Sequence, residues 1–234
     1  MTRAPSLTRN ELAAMIDHTL LTPEAAERDV AAFCAGARDL GVYAVCVSPT
    51  MAAVAAREVA GTGIAVAAVA GFPSGAHNAG IKAAEAAGAA SAGAAEIDMV
   101  INLGLAAAGR WTEVEEEIRA VRESVPGPVT LKVIIETGIL DPDGIVAACH
   151  AAEAAGADYV KTSTGFHPSG GATTDAVALM AKTVGPRLGV KASGGIRSVS
   201  VALAMVQAGA TRLGLSRSAA ILAELPSGPE GPGQ

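Results

Sequence analysis

Lysine is scarce in this chain, and three of its five lysines lie in short apolar segments. These are Lys132, Lys161 and Lys191, and an isolated ammonium group is costly to bury in such surroundings. A neutral lysine amine attacks a carbonyl carbon and forms a Schiff base. A second ammonium about 4 Å away costs about 4 kcal/mol at an effective dielectric constant of about 20, which lowers a pKa of about 10.4 by roughly three units. Clustered lysines therefore predict an activated amine nucleophile.

A carboxylate accompanies these lysines in the segment 96–102. Strand alternation places Glu96, Asp98 and Asn102 on one face of this segment and apolar side chains on the other. Asp98 on that face can hold a lysine charged or move a proton. We expect Lys132 to orient Asp98, and Glu136 either to do the same or to pair with a lysine. The structural alternative is an ion-pair cluster that only fills the interior.

Eight strand-like segments must position these residues. They are residues 16–20, 43–47, 66–71, 96–102, 131–136, 159–163, 189–193 and 212–216. The spacing leaves room for one helix between consecutive strands, which favours parallel pairing with crossover helices. Eight such units in 234 residues predict a single-domain α/β fold, the TIM (β/α)8 barrel. An open doubly wound sheet is the alternative, but residues 21–24 lack the glycine-rich turn that it would need.

Composition sets the boundaries and excludes several classes of function. The barrel is expected over residues 12–224, with an N-terminal arm over 1–11 and a disordered Pro/Gly-rich tail over 225–234. Aromatic residues make up 3% of the chain and the net charge is −6, which argues against nucleic-acid binding. No signal peptide or membrane span is expected. Three widely spaced cysteines indicate a reducing compartment and hence a cytoplasmic location, and no metal-ligand spacing is present.

Two glycine-containing loops indicate a phosphate site. Barrel enzymes place their active sites at the C-terminal ends of the strands, and the loops after strands seven and eight commonly bind phosphate. Residues 193–197 read SGGIR after the seventh strand, and residues 214–218 read GLSRS at the end of the eighth. Unhindered glycine amides suit an anion. Arg217 either adds a charge-assisted contact or lies on the surface.

Six motifs resemble those of the deoxyribose-phosphate aldolase family, in an order that runs from about residue 12 to residue 222. They are IDHTLL at 16–21, GFPSG at 71–75, EIDMVIN at 96–102, LKVIIET at 131–137, VKTSTGF at 160–166 and VKASGGIR at 190–197. The resemblance implies a class I aldolase that reversibly cleaves 2-deoxy-D-ribose 5-phosphate to D-glyceraldehyde 3-phosphate and acetaldehyde without metal or other cofactor. It implies that Lys161 forms the Schiff base, that Lys191 lowers the pKa of that amine, and that Asp98 transfers protons.

The same resemblance implies the substrate-binding residues. Asp17, Thr19 and Lys132 are expected near the sugar. The implied phosphate cradle consists of Gly165, Gly194, Gly195, Gly214 and Ser216. The eighth-strand loop departs from the family pattern, because Leu215 replaces a hydroxyl residue and Arg217 a small one. A homodimer is the expected assembly, with no nucleic-acid or membrane partner.

Two other functions remain open from the residues alone. A phosphosugar isomerase on the same barrel would use acid–base chemistry and would not need paired lysines. A catalytically silent barrel that binds a sugar phosphate or a partner would have lost a member of the set Asp98, Lys161 and Lys191, and all three are present.

Overall fold

A computed structural model describes residues 7–125 and 127–226 of the chain, and it contains a closed barrel of eight parallel strands in sequence order. The strands are β1 (Ile16–Leu20), β2 (Ala44–Val47), β3 (Ala65–Ala70), β4 (Glu96–Val100), β5 (Thr130–Ile134), β6 (Tyr159–Lys161), β7 (Gly189–Ser193) and β8 (Arg212–Leu215). The barrel closes where β8 pairs with β1, with Asp17 opposite Gly214. The predicted TIM barrel is confirmed.

Helices surround the barrel. They are α1 (Arg9–Ala13), α2 (Glu27–Leu40), α3 (Ala52–Glu58), α4 (Ala79–Ser91), α5 (Leu103–Ala107), α6 (Trp111–Ser124), α7 (Pro142–Ala154), α8 (Thr174–Val184), α9 (Val199–Gln207) and α10 (Ser218–Ala223). Helix α1 precedes β1, α10 follows β8, and the others connect consecutive strands. Helix α6 shows why these segments pack here, because Val114, Ile118 and Val121 recur at helical spacing and are all buried. Within the described residues, no helix is both long and apolar enough to cross a membrane.

The core has two parts, which the strand alternation separates. Outward-facing strand residues such as Ile97 and Met99 belong to the large apolar cluster between barrel and helices. A small apolar cluster of Cys46, Ala67 and Val69 lies apart from it, on β2 and β3. Buried charged side chains occupy much of the remaining interior, and they carry the candidate site.

Five predicted strands end earlier than the sequence indicated, β3 and β8 by one residue and β4, β5 and β6 by two. Strand β4 stops at Val100, and Asn102 instead caps α5, where its Oδ1 accepts a hydrogen bond from the Leu105 amide at 3.1 Å. Strand β5 stops at Ile134, and Glu136 adopts a left-handed conformation with a φ of 52°. The side-chain alternation of a paired strand therefore does not reach Asn102 and Glu136, which lie beyond the strand ends.

The N-terminal segment enters the barrel through a short helix. The backbone N–H of Thr8 donates to the Glu11 carboxylate at 2.7 Å, and the Glu11 amide donates to the Thr8 hydroxyl at 3.3 Å. This capping box starts α1, which spans the predicted boundary between arm and barrel. The rest of the predicted arm (1–6) and most of the predicted tail (227–234) lie outside the described residues.

Candidate active site

The three lysines and Asp98 converge inside the barrel, as their strand faces predicted. In the strand register Asp98 lies opposite Lys132, and Lys161 lies opposite Lys191. Asp98 is the centre of the cluster. Its Oδ2 accepts hydrogen bonds from Lys161 Nζ at 2.7 Å and from Lys191 Nζ at 2.6 Å. Its Oδ1 accepts from Lys132 Nζ at 2.7 Å.

Lys161 has a pKa below the ordinary value for lysine. Burial is the largest cause, because it disfavours the charged amine. The Asp98 carboxylate opposes this effect, and the Lys191 ammonium adds to it. Proximity of a second cation, the main cause expected from the sequence, therefore contributes less than burial does. The direction favours a neutral amine, which is the form that attacks a carbonyl.

Lys191 and Asp98 remain charged partners of this amine. Burial acts to lower the pKa of Lys191, but the carboxylates of Asp17 and Asp98 outweigh it and raise that pKa. Burial acts to raise the pKa of Asp98, but three lysines outweigh it and hold the pKa well below its usual range. At neutral pH the site therefore contains an aspartate anion between a fixed ammonium and a more readily deprotonated amine.

Asp17 and Lys132 lie beneath the site, fully buried. Asp17 accepts a hydrogen bond from Lys191 through Oδ2 and from Arg212 Nη1 through Oδ1 at 2.8 Å. Burial acts against ionisation of Asp17, but Lys191, Lys132 and Arg212 lower its pKa to about 2. Lys132 contacts carboxylates, including Glu96 at 2.6 Å. Neither residue lines the cavity above them, so the structure does not place Asp17 and Lys132 at the cavity wall, where contacts to a sugar were expected.

A cavity of about 290 Å³ opens above Lys161. Its walls include every residue expected in the phosphate cradle, together with Thr19 and two arginines. The lining residues are Thr19, Leu21, Lys161, Thr164, Gly165, Phe166, Ser193, Gly194, Gly195, Ile196, Arg197, Gly214, Ser216 and Arg217. Cationic side chains occur in this lining and carboxylates do not, so the cavity suits an anion.

The loops after β6 and β7 approach each other closely at glycines. Gly165 and Gly194 have φ angles of +80° and +85°. A Cβ at Gly194 would lie 3.2 Å from the Gly165 Cα and 3.0 Å from the Gly171 Cα. Glycine is therefore required by both backbone conformation and space, and it leaves backbone amides unhindered at the cavity wall.

Glu136, His18 and Cys46 are buried near the site, and each has contacts that do not involve its lysines. Glu136 contacts no lysine in the described chain, because its carboxylate accepts from the Thr164 hydroxyl at 2.6 Å. His18 Nδ1 lies 2.8 Å from the Ser218 hydroxyl, and burial lowers the pKa of His18 to about 4. Cys46 is a buried thiol whose pKa is raised by burial. The described residues contain no cluster of three or more side chains suited to a metal ion.

Arg212 is a charged residue of the barrel interior that the sequence pattern did not predict to lie at the site. It begins β8 and contacts both Asp17 and Glu96. The signal was present, because alternation along β8 places Arg212 on the same face as Gly214. An arginine at the start of a strand is equally consistent with a solvent-exposed strand end, so the pattern alone did not predict an interior position for Arg212.

Comparisons with known proteins agree with this geometry. Residues 12–222 match the model of the DeoC/LacD family aldolases. The chain is 59% identical over 221 residues to the deoxyribose-phosphate aldolase of Kocuria rhizophila, covering 94% of this chain and 100% of that relative. It is 61% identical over 218 residues to that of Corynebacterium diphtheriae, covering 93% and 98%. The deoxyribose phosphate aldolase structure from Aeropyrum pernix superposes with a TM-score of 0.83 at 33% identity, covering 93% of this chain and 92% of that one. The chain therefore belongs to the DeoC/LacD aldolase family.

Proposed function

We propose that this protein is a class I aldolase that reversibly cleaves 2-deoxy-D-ribose 5-phosphate to D-glyceraldehyde 3-phosphate and acetaldehyde. The Lys161 amine attacks C1 of the open-chain aldehyde, and loss of water gives a protonated imine. A base then removes the C3 hydroxyl proton, the C2–C3 bond breaks, and D-glyceraldehyde 3-phosphate leaves. The remaining enamine takes a proton at C2, and water releases acetaldehyde and the free amine.

One observation carries this proposal: Lys161 and Lys191 donate to the same oxygen of Asp98, and Lys161 lies at the cavity. Each group then has a role that follows from its charge. Lys161 is the nucleophile because burial favours its neutral form. Asp98 accepts and returns protons, directly or through water, and Lys191 keeps Asp98 ionised and oriented.

The cavity lining supports a phosphorylated substrate. Arg197 and Arg217 supply positive charge, and Gly194 and Gly195 supply a backbone without side chains after β7. Charge-assisted hydrogen bonds of arginine to phosphate are among the stronger polar contacts in proteins. We place the phosphate in this part of the cavity, which leaves the aldehyde end of the sugar above Lys161.

Borohydride trapping tests the assignment of the nucleophile. With acetaldehyde present, reduction of the imine should leave one ethyl group on Lys161, which peptide mass spectrometry would locate. Lys161→Arg should abolish both the adduct and aldol cleavage, with a loss of at least about 10³-fold, because guanidinium cannot form the imine. Lys182→Arg is the matched control, because Lys182 is exposed on α8, and it should behave as wild type.

Either of two results would overturn this proposal. An adduct on another lysine would move the nucleophile. Full activity of Lys161→Arg towards a sugar phosphate would indicate acid–base chemistry of the isomerase type.

We also propose a homodimer and a cytoplasmic location. The dimer rests on the sequence resemblance, and the relative from Aeropyrum pernix is described as having a unique tetrameric structure. Light scattering coupled to size-exclusion chromatography distinguishes the two assemblies by mass. The cytoplasmic location is supported by Cys34, Cys46 and Cys149, which are all free and buried, as expected in a reducing compartment.

A further inference from the structure

Six buried side chains beneath the cavity form a closed ring of alternating charge. Going round the ring, they are Asp98, Lys191, Asp17, Arg212, Glu96 and Lys132, which returns to Asp98. The contact of Lys191 with Asp17 is a direct ion pair, and the other contacts measure 2.6 Å (Asp98–Lys191), 2.8 Å (Asp17–Arg212), 3.3 Å (Arg212–Glu96), 2.6 Å (Glu96–Lys132) and 2.7 Å (Lys132–Asp98). Every carboxylate in the ring therefore contacts at least two cations, and Lys132 also lies 3.5 Å from Asp17 across the ring.

The charge of Lys161 is not compensated within this ring. The ring contains three carboxylates and three cations, so its formal charges cancel without Lys161. The Lys161 amine is attached to the ring at Asp98 Oδ2, which already accepts from Lys191. Protonation of Lys161 therefore adds a fourth cation to a buried cluster with three anions, and deprotonation restores neutrality. A charge imbalance in a buried cluster is costly, which favours loss of this proton.

The lower end of the ring is closed by aromatic rings. The Arg212 guanidinium carbon lies 3.5 Å from the centroid of the Tyr43 ring and 5.5 Å from that of Tyr159. A Cβ at Gly189 would fall 2.2 Å from the Tyr159 ring, so glycine at this position makes room for the tyrosine. Arg212 and Glu96 are consequently buried, at 5% and 3% exposure. Charges that are shielded from water interact over longer distances. Removing a charge at this end should therefore change the electrostatic potential at the cavity.

We propose that Glu96 and Arg212 are positioning residues that control whether Lys161 is protonated, through the charge balance of the ring and without contact to substrate. The inference rests on the proposed function, in which Lys161 is the nucleophile. Arg212 forms an ion pair with Asp17, and Asp17 forms another with Lys191. Glu96 forms an ion pair with Lys132. Both branches meet at Asp98, the residue that contacts Lys161.

The titratable groups that act on Lys161 are Asp98 on β4, Lys191 on β7 and Cys46 on β2. Asp17 on β1 and Lys132 on β5 lie one contact further away, against Lys191 and Asp98 respectively. None of them is altered by substitution of Glu96 or Arg212. A change in Lys161 titration in such variants therefore reports on the charge removed at the far end of the ring.

The test measures the titration of Lys161 in the folded protein with opposite charge deletions. The chain has five lysines, so ¹³C-labelled lysine gives a resolvable set of Cε signals, which Lys→Arg variants assign. Arg212→Met removes a cation and should raise the Lys161 pKa, whereas Glu96→Gln removes an anion and should lower it. Each shift should be roughly one unit, the effect of a unit charge across about 10 Å at an effective dielectric constant of about 20. The double variant removes one charge of each sign and should return towards wild type.

The pH dependence of borohydride trapping at Lys161 provides a second readout of the same pKa. Trapping should increase with pH as Lys161 loses its proton. The pH of half-maximal trapping should be higher than wild type in Arg212→Met and lower in Glu96→Gln. Arg212→Lys keeps the positive charge, so Lys161 should titrate in this variant as it does in wild type. This variant still tests the inference if Arg212→Met folds poorly. A purely structural role would reduce the amount of folded protein in each variant without opposite shifts. Unshifted curves, or shifts of the same sign, would overturn the inference.

Failure of the ring and failure of the proposed function give different results. If Lys161 in the wild-type protein forms no adduct with acetaldehyde, the proposed nucleophile is wrong. If the wild-type adduct forms at Lys161 but the variants do not shift in opposite directions, the nucleophile stands and the role of Glu96 and Arg212 is wrong.

Discussion

The three interior lysines are chemically identical, and the number of carboxylates around each one makes them different. Lys132 lies within 3.5 Å of three carboxylates, Lys191 contacts two, and Lys161 contacts one. All three are buried, so the carboxylates decide the outcome. The pKa is raised for Lys132 and Lys191 and lowered for Lys161. The sequence predicted that these lysines share an interior, but the choice among them needed the family motif, because carboxylate partners come from distant strands.

Arg217 is one of the residues at which the eighth-strand loop departs from the family pattern expected from the sequence. It is exposed and lines the cavity beside Ser216 and Gly214. We expect Arg217→Ser to raise the KM for 2-deoxy-D-ribose 5-phosphate about five- to tenfold with kcat little changed, because one charge-assisted contact is lost. The KM for unphosphorylated 2-deoxy-D-ribose should stay the same, and Arg217→Lys should retain part of the effect. An equal change for both sugars would place Arg217 outside the phosphate site.

At the scale of elements, helix side chains determine where β4 ends. Lys82 on α4 donates to the Val100 carbonyl at 2.8 Å and forms a buried ion pair with Glu117 on α6. Glu117 in turn accepts from the Asn102 amide at 2.8 Å. These two side chains satisfy strand-end backbone groups just after Asp98, and so fix the end of the strand that carries it.

Breaking this pair should cost stability that a surface pair does not. Lys82→Met leaves the Glu117 carboxylate buried without its cation, and we expect a loss of about 3 kcal/mol in the free energy of unfolding, measured by urea denaturation. The control is Arg119→Ala, which removes the exposed partner of Glu115 on the same helix and should cost less than about 1 kcal/mol. Replacing both Lys82 and Glu117 by Met should recover part of the loss. Equal costs for Lys82→Met and Arg119→Ala would contradict this account.

The eight strands, their order and their inward faces followed from short-range pattern, because period-two alternation and regular spacing are local properties. Strand ends did not follow, since the partners of Val100 and Asn102 lie on α4 and α6. The site shows the same division. Asp98 and the lysines were found from their own strands, whereas Arg212 and the position of Asp17 beneath the cavity depend on contacts between the two ends of the chain.

At the scale of the whole molecule, the charged interior couples folding to pH. The folded protein lowers the pKa of Asp17 to about 2, compared with about 3.9 in an unfolded chain. A carboxylate with a depressed folded-state pKa stabilises the protein fully above the unfolded value, and this stability is lost as pH falls towards the folded value. Asp98, whose pKa is also lowered, acts in the same direction.

We therefore expect the urea midpoint of unfolding to fall steeply between about pH 5 and pH 2, with a contribution from Asp17 of about 2 kcal/mol. Asp17→Asn separates this contribution from general acid effects. The variant should be less stable than wild type at pH 7, because Lys191 and Arg212 lose an anionic partner that both contact. Its stability curve should converge with that of wild type in acid, where Asp17 is protonated in both folded and unfolded states. A gap of constant size from pH 7 to pH 3 would mean that the ionisation of Asp17 does not hold the barrel interior together.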